Sequence, residues 1–469
     1  MLQSPLNKLV FIIALALVLP LLFMQGMFMD GLMYAAVSKN LAQGIGTFWQ
    51  PFYGDDYFGL PGFYENPPLG IFNLALFFKV FGTDFWVERF FILCQYLLTI
   101  YGIWLNLKIV IPKAAKNVFW FSLLSWALIP TVFWTFRQNM MEVQMLPLLL
   151  FSNWFMLRSL KEGKSFAFNL IFFSALTLGS FLVKGVVGAF LIGAPFAYFL
   201  AVDRSWRSIY FGLANILVLV LTGFLLYQKQ TVQDFFYYYL EVRTAARIKH
   251  IPTVGSRFWI LGEFAQQMIL PLILMAIVYF SRIKDNTAAE LKSTRNWVIF
   301  FLLLGIGGSF PLMITKVQRP FYLMTSFPFY ILAASLLIEP KIRSVGIKVN
   351  AWKRSQLVIN SLAGLLLITV LALTINNWGA YRRDEQLQKD LATLMTDLGE
   401  PEKIYVEGEL LQHWSLKAYA VRNEDLDLLH FPNFKAEKSP YVISKKLPET
   451  ETKFKEYKSY QSFKLYRLE

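Results

Sequence analysis

The fold turns on one stretch: Lys8-Leu9-Val10-Phe11-Ile12-Ile13-Ala14-Leu15-Ala16-Leu17-Val18-Leu19-Pro20-Leu21-Leu22-Phe23-Met24-Gln25-Gly26-Met27-Phe28-Met29-Asp30. Leu9–Met24 is apolar throughout, behind a single positive charge. A secretory signal peptide starts the same way but ends at a small-residue cleavage site. Here Gln25-Gly26-Met27-Phe28 follows, so an uncleaved first membrane span is expected over 9–25. An aspartate stands just beyond its outer end.

Composition points the same way. Of 469 residues, 56% are apolar and 16% charged. Soluble globular chains have roughly 45–50% and about 25%. This argues against a soluble enzyme, a disordered chain and a fibrous one. The 45 Phe, 22 Tyr and 13 Trp suit a large membrane protein with interfacial rings. Cys94, alone, excludes an intramolecular disulfide and any cysteine-based metal site. Three histidines, His250, His413 and His430, leave little room for a histidine cluster. No Walker motif and no internal repeat is present.

A span needs about 20 apolar residues. Eleven are expected, at 9–25, 86–107, 117–135, 140–157, 166–183, 186–202, 207–227, 258–280, 297–315, 320–338 and 355–377. Leu69–Phe81 has only 13 residues before Gly82 and reads as an interfacial helix. With the N-terminus inside, the inner loops carry 18 Lys and Arg and the outer loops 11. That is the bias that holds a topology, and counting 69–81 as a span would reverse it. The tail then lies outside. Residues 1–378 hold 30 basic against 15 acidic side chains, and 379–469 hold 15 against 16, so the +14 net charge belongs to the apolar part. It reads as cytoplasmic loop charge rather than nucleic-acid binding. Ten of those 15 acids fall on the outer side. Acids hardly steer insertion, so an outward-facing polar site is the expected reason.

In the tail, Asp384–Leu398 reads as an amphipathic helix, with strands at Lys403–Glu407, Asp427–Phe431, Tyr441–Ser444 and Ser459–Tyr466. The expected fold is an all-α polytopic membrane protein, 1–378, with a small soluble α/β domain, 379–469.

The first outer loop, 26–85, is long for a compact protein, and such loops are usually functional or disordered. Eight aromatics from Phe48 to Tyr64 argue against disorder. From Gly31 onward it reads as an amphipathic helix on the membrane, with Asp30 at its start and Tyr34 on the same face. Asp30 also suits a helix N-cap. Then comes Gly62-Phe63-Tyr64-Glu65-Asn66-Pro67-Pro68-Leu69-Gly70, where two prolines open the next helix.

Asp30 after the first span, then Tyr34-Ala35, Asn40-Leu41 and Tyr64-Glu65-Asn66-Pro67-Pro68-Leu69, resembles the first outer loop of C-type, polyprenyl-phosphate-dependent glycosyltransferases. That group includes the protein O-mannosyltransferases and the lipid A aminoarabinose transferases. Arg137-Gln138-Asn139-Met140-Met141-Glu142 resembles the second outer loop, with Glu142 where the family usually has Asp. Gly179 to Gly185 resembles its Leu-Thr-Lys-Gly turn, with Val183 for Thr before Lys184. Lys316 to Tyr322, ending at Pro328, resembles its Lys…Tyr-Leu…Pro segment.

The resemblance implies inverting transfer of a sugar from a polyprenyl-phosphate carrier to a lipid, glycan or protein acceptor at the outer face of the inner membrane. Such chemistry needs a base, cations for the departing phosphate, and a lipid groove. Asp30 is the expected base and Glu142 the second catalytic carboxylate. Tyr34, Glu65, Lys184, Arg243, Arg247, Lys316, Arg319 and Tyr322 are the expected substrate contacts. Arg243 and Arg247, four apart, share a helix face that reads equally as a lid or a plain interfacial helix. A divalent ion, Mg²⁺ or Mn²⁺, is left open, with Asp55-Asp56 or Asp30 and Glu142 as oxygen donors and no ligand assigned. A transporter or flippase, or a polymerase or ligase, for lipid-linked glycans is the alternative. The loop 42–64 is expected to govern acceptor choice.

Overall fold

The computed structural model describes residues 1–55, 60–281, 291–447 and 453–469. Helix boundaries follow local chemistry. Ser4 accepts from the Asn7 amide at 3.2 Å and Pro5 sits in the first turn of α1, Pro5–Leu22. After a short loop comes α2, Met29–Ala42. Two two-residue strands, β1 (Gly46–Thr47) and β2 (Gln50–Pro51), pair in the loop that follows. Pro67-Pro68 then opens α3, Leu69–Phe81, which stops at Gly82. The next helices are α4 (Phe85–Val110), α5 (Ala115–Ala127), α6 (Pro130–Thr135), α7 (Met141–Leu160) and α8 (Phe166–Lys184). Ser165 caps α8 through the Phe168 amide.

Among the described residues, six helices are long and apolar enough to cross a membrane: Pro5–Leu22, Phe85–Val110, Phe166–Gly188, Trp206–Tyr227, Thr294–Ile314 and Lys353–Asn376. Trp259–Gln267 and Ile269–Tyr279, bent by 46°, make a seventh if they act as one. Of the other four expected spans, 140–157 is one continuous helix, α7, of 20 residues but too polar to stand with the six, and the remaining three are broken. The stretch 117–135 splits before Pro130, 186–202 opens with tight 3₁₀ turns before Pro195, and 320–338 does the same before Pro328. Each proline lacks a helical donor and clashes with the preceding turn. Leu69–Phe81 is a short helix, as its length indicated. Packing is sequential around α7, which contacts α4 and α8, while α1 lies along Lys353–Asn376. Trp206–Tyr227 and Lys353–Asn376 keep long exposed rows, including Leu217, Phe224, Leu365 and Ile368. Such rows suit lipid contact.

One expectation for α2 is corrected. It is not an amphipathic helix resting on the membrane. Every residue from Gly31 to Asn40 is buried, because α3 packs on it and the tail helix Trp414–Glu424 packs on it as well.

The tail carries five strands, β3 (Lys403–Val406), β4 (Asp427–His430), β5 (Tyr441–Ser444), β6 (Phe454–Ser459) and β7 (Lys464–Leu468), in the order β4-β3-β5-β7-β6. β3 pairs parallel with β4 and β5, and β7 pairs antiparallel with β5 and β6. Glu385–Leu398 is the expected helix. The stretch 459–466, expected as one strand, is instead the turn between β6 and β7 plus the start of β7. Its alternation belongs to two antiparallel edges. A buried ion pair, Arg422 to Glu88 at 2.6 Å, joins the tail to the top of α4. Lys39 of α2 donates to the Arg422 carbonyl at 3.0 Å and pairs with Asp425 at 2.8 Å.

Candidate active site

Asp30 is the second residue of α2. The N-cap is Phe28, and Asp30 makes no capping bond. The helix start is instead clamped by the second outer loop. Gln138 Oε1 accepts from the Phe28 amide at 2.7 Å, and Asn139 Nδ2 donates to the Gly31 carbonyl at 3.0 Å. Gly31 leaves room for this contact, since a Cβ there would overlap the Gln138 carbonyl oxygen. Asn139 takes a left-handed backbone, φ 51°, a conformation Asn tolerates better than most residues.

Among the described residues, the Asp30 carboxylate has no hydrogen bond or ion pair. It lines a cavity of about 90 Å³ with Met29, Met33, Glu65, Arg247 and Trp414. Burial raises its pKa above the ordinary aspartate value, and Lys184, Arg247 and Arg319 pull in the opposite direction without cancelling the rise. Three cations therefore address one open carboxylate.

Glu142, in the first turn of α7, is fully buried. Lys184 Nζ donates to its Oε1 at 2.5 Å, and its Oε2 has no partner among the described residues. Lys184 is the last residue of α8, and its ammonium lies 5.0 Å from the Tyr322 ring centroid and 5.4 Å from that of Phe321. The following Gly185 has φ 76° and admits the Tyr239 hydroxyl where a Cβ would be. The turn after α8 is thus pressed from outside by the segment that carries the arginines.

That segment is a π-helix, Tyr238–Ala245, running into Ala246–His250. Arg243 and Arg247 both pair with Glu65, Arg247 at 2.8 Å. Tyr238 stacks on Tyr64 with centroids 4.8 Å apart, and Phe235 meets both Tyr64 and Trp49. The segment is therefore docked on the first outer loop. Tyr34 is buried, and its hydroxyl accepts from Asn66 at 3.0 Å. It braces the loop rather than lining the cavity. Burial pushes its phenol pKa well above the ordinary range.

A second, larger cavity of about 650 Å³ is walled by Phe28, Met29, Pro130, Phe133, Trp134 and Phe321, with Arg319 on it. Met29, next to Asp30 in α2, lines both cavities. Lys316 is exposed and lines neither cavity. Gln318 was not legible as important. It is buried and donates to the carbonyls of Arg257, Leu312 and Thr315 while accepting from the Ile260 amide, which fixes the turn that presents Arg319. Trp414, from the tail, was also missed; no motif marks it.

The carboxylates do not form an evident metal site. Among the described residues, no three His, Cys, Asp or Glu side chains come together. Glu142 already has an ammonium on one oxygen, and Asp55 is paired with Lys403 at 2.7 Å. Asp56 lies outside the described residues.

Residues 65–227 match the family of dolichyl-phosphate-mannose-protein mannosyltransferases. The ArnT of Cupriavidus metallidurans, solved bound to undecaprenyl phosphate, superposes with TM-score 0.65 at 15% identity, over 98% of this chain and 97% of that one. The chain has the fold of ArnT. The apo ArnT of the same organism gives TM-score 0.64 at 14% identity, over 98% and 96% of the two chains. No curated protein sequence matches the chain. The family match runs from Glu65 through α3, Glu142 and Lys184 to the end of Trp206–Tyr227, so it takes in the second carboxylate and its lysine but begins after Asp30.

Proposed function

We propose that this multi-pass membrane protein transfers a sugar from a polyprenyl-phosphate carrier to an acceptor hydroxyl, with inversion at the anomeric carbon and Asp30 as general base. The single observation that carries the reading is the place of Met29 on both cavities. One is an apolar groove that suits a polyprenyl chain, and the other holds an open carboxylate with cations around it. The ArnT structure with undecaprenyl phosphate supports a lipid phosphate as the donor's carrier.

The step balances simply. The acceptor oxygen attacks the anomeric carbon from the face opposite the phosphate, and its proton passes to an Asp30 oxygen. The carbon–oxygen bond to phosphate breaks, and its electron pair leaves with the polyprenyl phosphate. Lys184, Arg319 and Arg247 stabilise that departing charge. Arg suits bidentate contact with phosphate oxygens, while Lys acts as a point charge. Glu142 holds Lys184 in place and carries the second catalytic carboxylate. The positive-inside bias supports eleven crossings in all, some short or broken, with the N-terminus in the cytoplasm. Residues 1–378 form the membrane unit and 379–469 an outer domain. A transporter would concentrate its charges near the bilayer midplane; here they gather at helix ends next to the outer loop.

The test is carrier binding by the solubilised full chain. Undecaprenyl phosphate should raise its Tm, undecaprenol should do so much less, and Arg319→Ala should reduce the difference. Equal effects of the two lipids on the wild type would remove the phosphate site from the account.

A further inference from the structure

α2 and the tail helix Trp414–Glu424 lie side by side and run the same way. Lys39, near the end of α2, bonds the carbonyl of Arg422 and the carboxylate of Asp425. Asp30 precedes Lys39 by nine residues, and Trp414 precedes Arg422 by eight. At about 1.5 Å per residue both intervals span about 12–14 Å, so the first residue of the tail helix arrives at the first turn of α2. Trp414 indeed lines the cavity that holds Asp30. His413 caps this helix, its Nδ1 accepting from the Leu416 amide at 3.3 Å, which fixes where the indole starts. The buried Arg422–Glu88 pair anchors the other end. Trp414 is 43% exposed, although an indole of this size is normally well buried. The cavity thus has an apolar wall of Met29, Met33 and Trp414 facing the carboxylates of Asp30 and Glu65.

We propose that Trp414 is an acceptor-binding residue, and that the acceptor hydroxyl is carried on a sugar ring. This rests on the transferase reading above. A sugar ring has an apolar C–H face and a rim of hydroxyls. The flat indole takes the face, and the carboxylates accept from the rim. Addition of an extended peptide to an open strand edge is a mode that neither helix offers. Of the cations assigned to the departing phosphate, Arg247 lines this cavity while Lys184 and Arg319 do not; the wall of Met29, Met33 and Trp414 is assigned to the acceptor side of the reacting carbon. The tail thereby contributes to acceptor selection.

The test uses membranes of a strain lacking the protein, supplied with full-length wild type, Trp414→Phe, Trp414→Leu or Asp30→Asn at matched levels. Product is scored by mass spectrometry, and the Tm rise with undecaprenyl phosphate is measured on each solubilised protein. Leu keeps apolar packing and loses the flat ring. Trp414→Phe should keep about a third or more of the product, and Trp414→Leu should lose about tenfold. Both should keep the wild-type Tm rise, and the added mass should sit on a glycan. Equal product from the Leu and Phe variants overturns the proposal. So does loss of the Tm rise with Leu, which would place the residue in the carrier site or the fold, and so does an added mass on a peptide side chain. If wild type makes no product, or Asp30→Asn makes as much, the transferase reading itself has failed whatever Trp414 does.

Discussion

The side-chain amide of Asn139 donates to the carbonyl of Gly31 at 3.0 Å, one residue beyond Asp30 and three before Glu142. The two carboxylates of the candidate site, far apart in sequence, are thus tied through one hydrogen bond and one left-handed residue. A misplacement of about 1 Å in such a site costs about 100-fold in rate. Asn139→Ala should therefore lower kcat by about 10- to 100-fold while leaving the undecaprenyl-phosphate Tm rise in place. Gly31→Ala should do at least as much, because its methyl group meets the Gln138 carbonyl. A rate within twofold of wild type in both variants would show that the clamp does not set the site.

Lys184 and Glu142 are a buried ion pair with side chains 9% and 0% exposed. Removing one partner of such a pair costs about 3–5 kcal/mol, because the other is left buried and uncompensated. Lys184→Ala should thus lower both stability and transfer. The double variant Lys184→Met with Glu142→Gln should recover most of the stability and none of the transfer. Recovered transfer in the double variant would make the pair structural only.

Burial holds the Asp30 pKa above the ordinary aspartate value. A base must be deprotonated, so transfer should fall on the acid side through an apparent pKa above the usual carboxylate range, and Asp30→Asn should remove the activity that titrates. The stability sign is the reverse of a salt-bridged carboxylate. A raised folded pKa means that Asp30 favours folding below its unfolded pKa and loses that contribution as pH rises through the folded value. At neutral pH, Asp30→Asn should therefore melt no lower than wild type. A Tm drop of several degrees would assign Asp30 a structural role.

Arg422 and Glu88 fasten the tail to α4, with side chains 4% and 3% exposed. Arg422→Ala should cost about 3–5 kcal/mol and make the segment after Asn376 the first to be cut in limited proteolysis. Unchanged cleavage kinetics would mean that β3–β7 and their helices hold to the membrane part by other contacts.

Much of this was readable in the sequence, and what was not has physical causes. The apolar runs and the Pro67-Pro68 start fixed the helices around the site, because burial and missing donors act locally. Glu142 stood out because an ionisable residue beside an apolar run is costly, Lys184 and Arg319 because they sit in short outer turns, and Asp30 through its place at the outer face and the resemblance of its loop. The burial of α2 was not readable: it depends on the tail helix Trp414–Glu424, nearly 400 residues away, and Gly31-Leu32-Met33 looks the same on a membrane as inside a protein. Trp414 and Gln318 carry no charge pattern or spacing, so only the packed structure brings them to the site. Lys316 sat in the right motif, yet its side chain stays outside both cavities. The β6–β7 turn was mistaken for one strand because alternation continues across it.

The most direct measurement is envelope glycan mass spectrometry on a strain lacking the protein, complemented with wild type or Asp30→Asn at matched membrane levels, with the lipid-linked sugar pool quantified alongside. The account predicts that wild type restores one sugar on one acceptor, while Asp30→Asn restores none and the polyprenyl-phosphate-linked sugar accumulates. Full complementation by Asp30→Asn would contradict it, and would leave a transporter of lipid-linked glycans as the better reading.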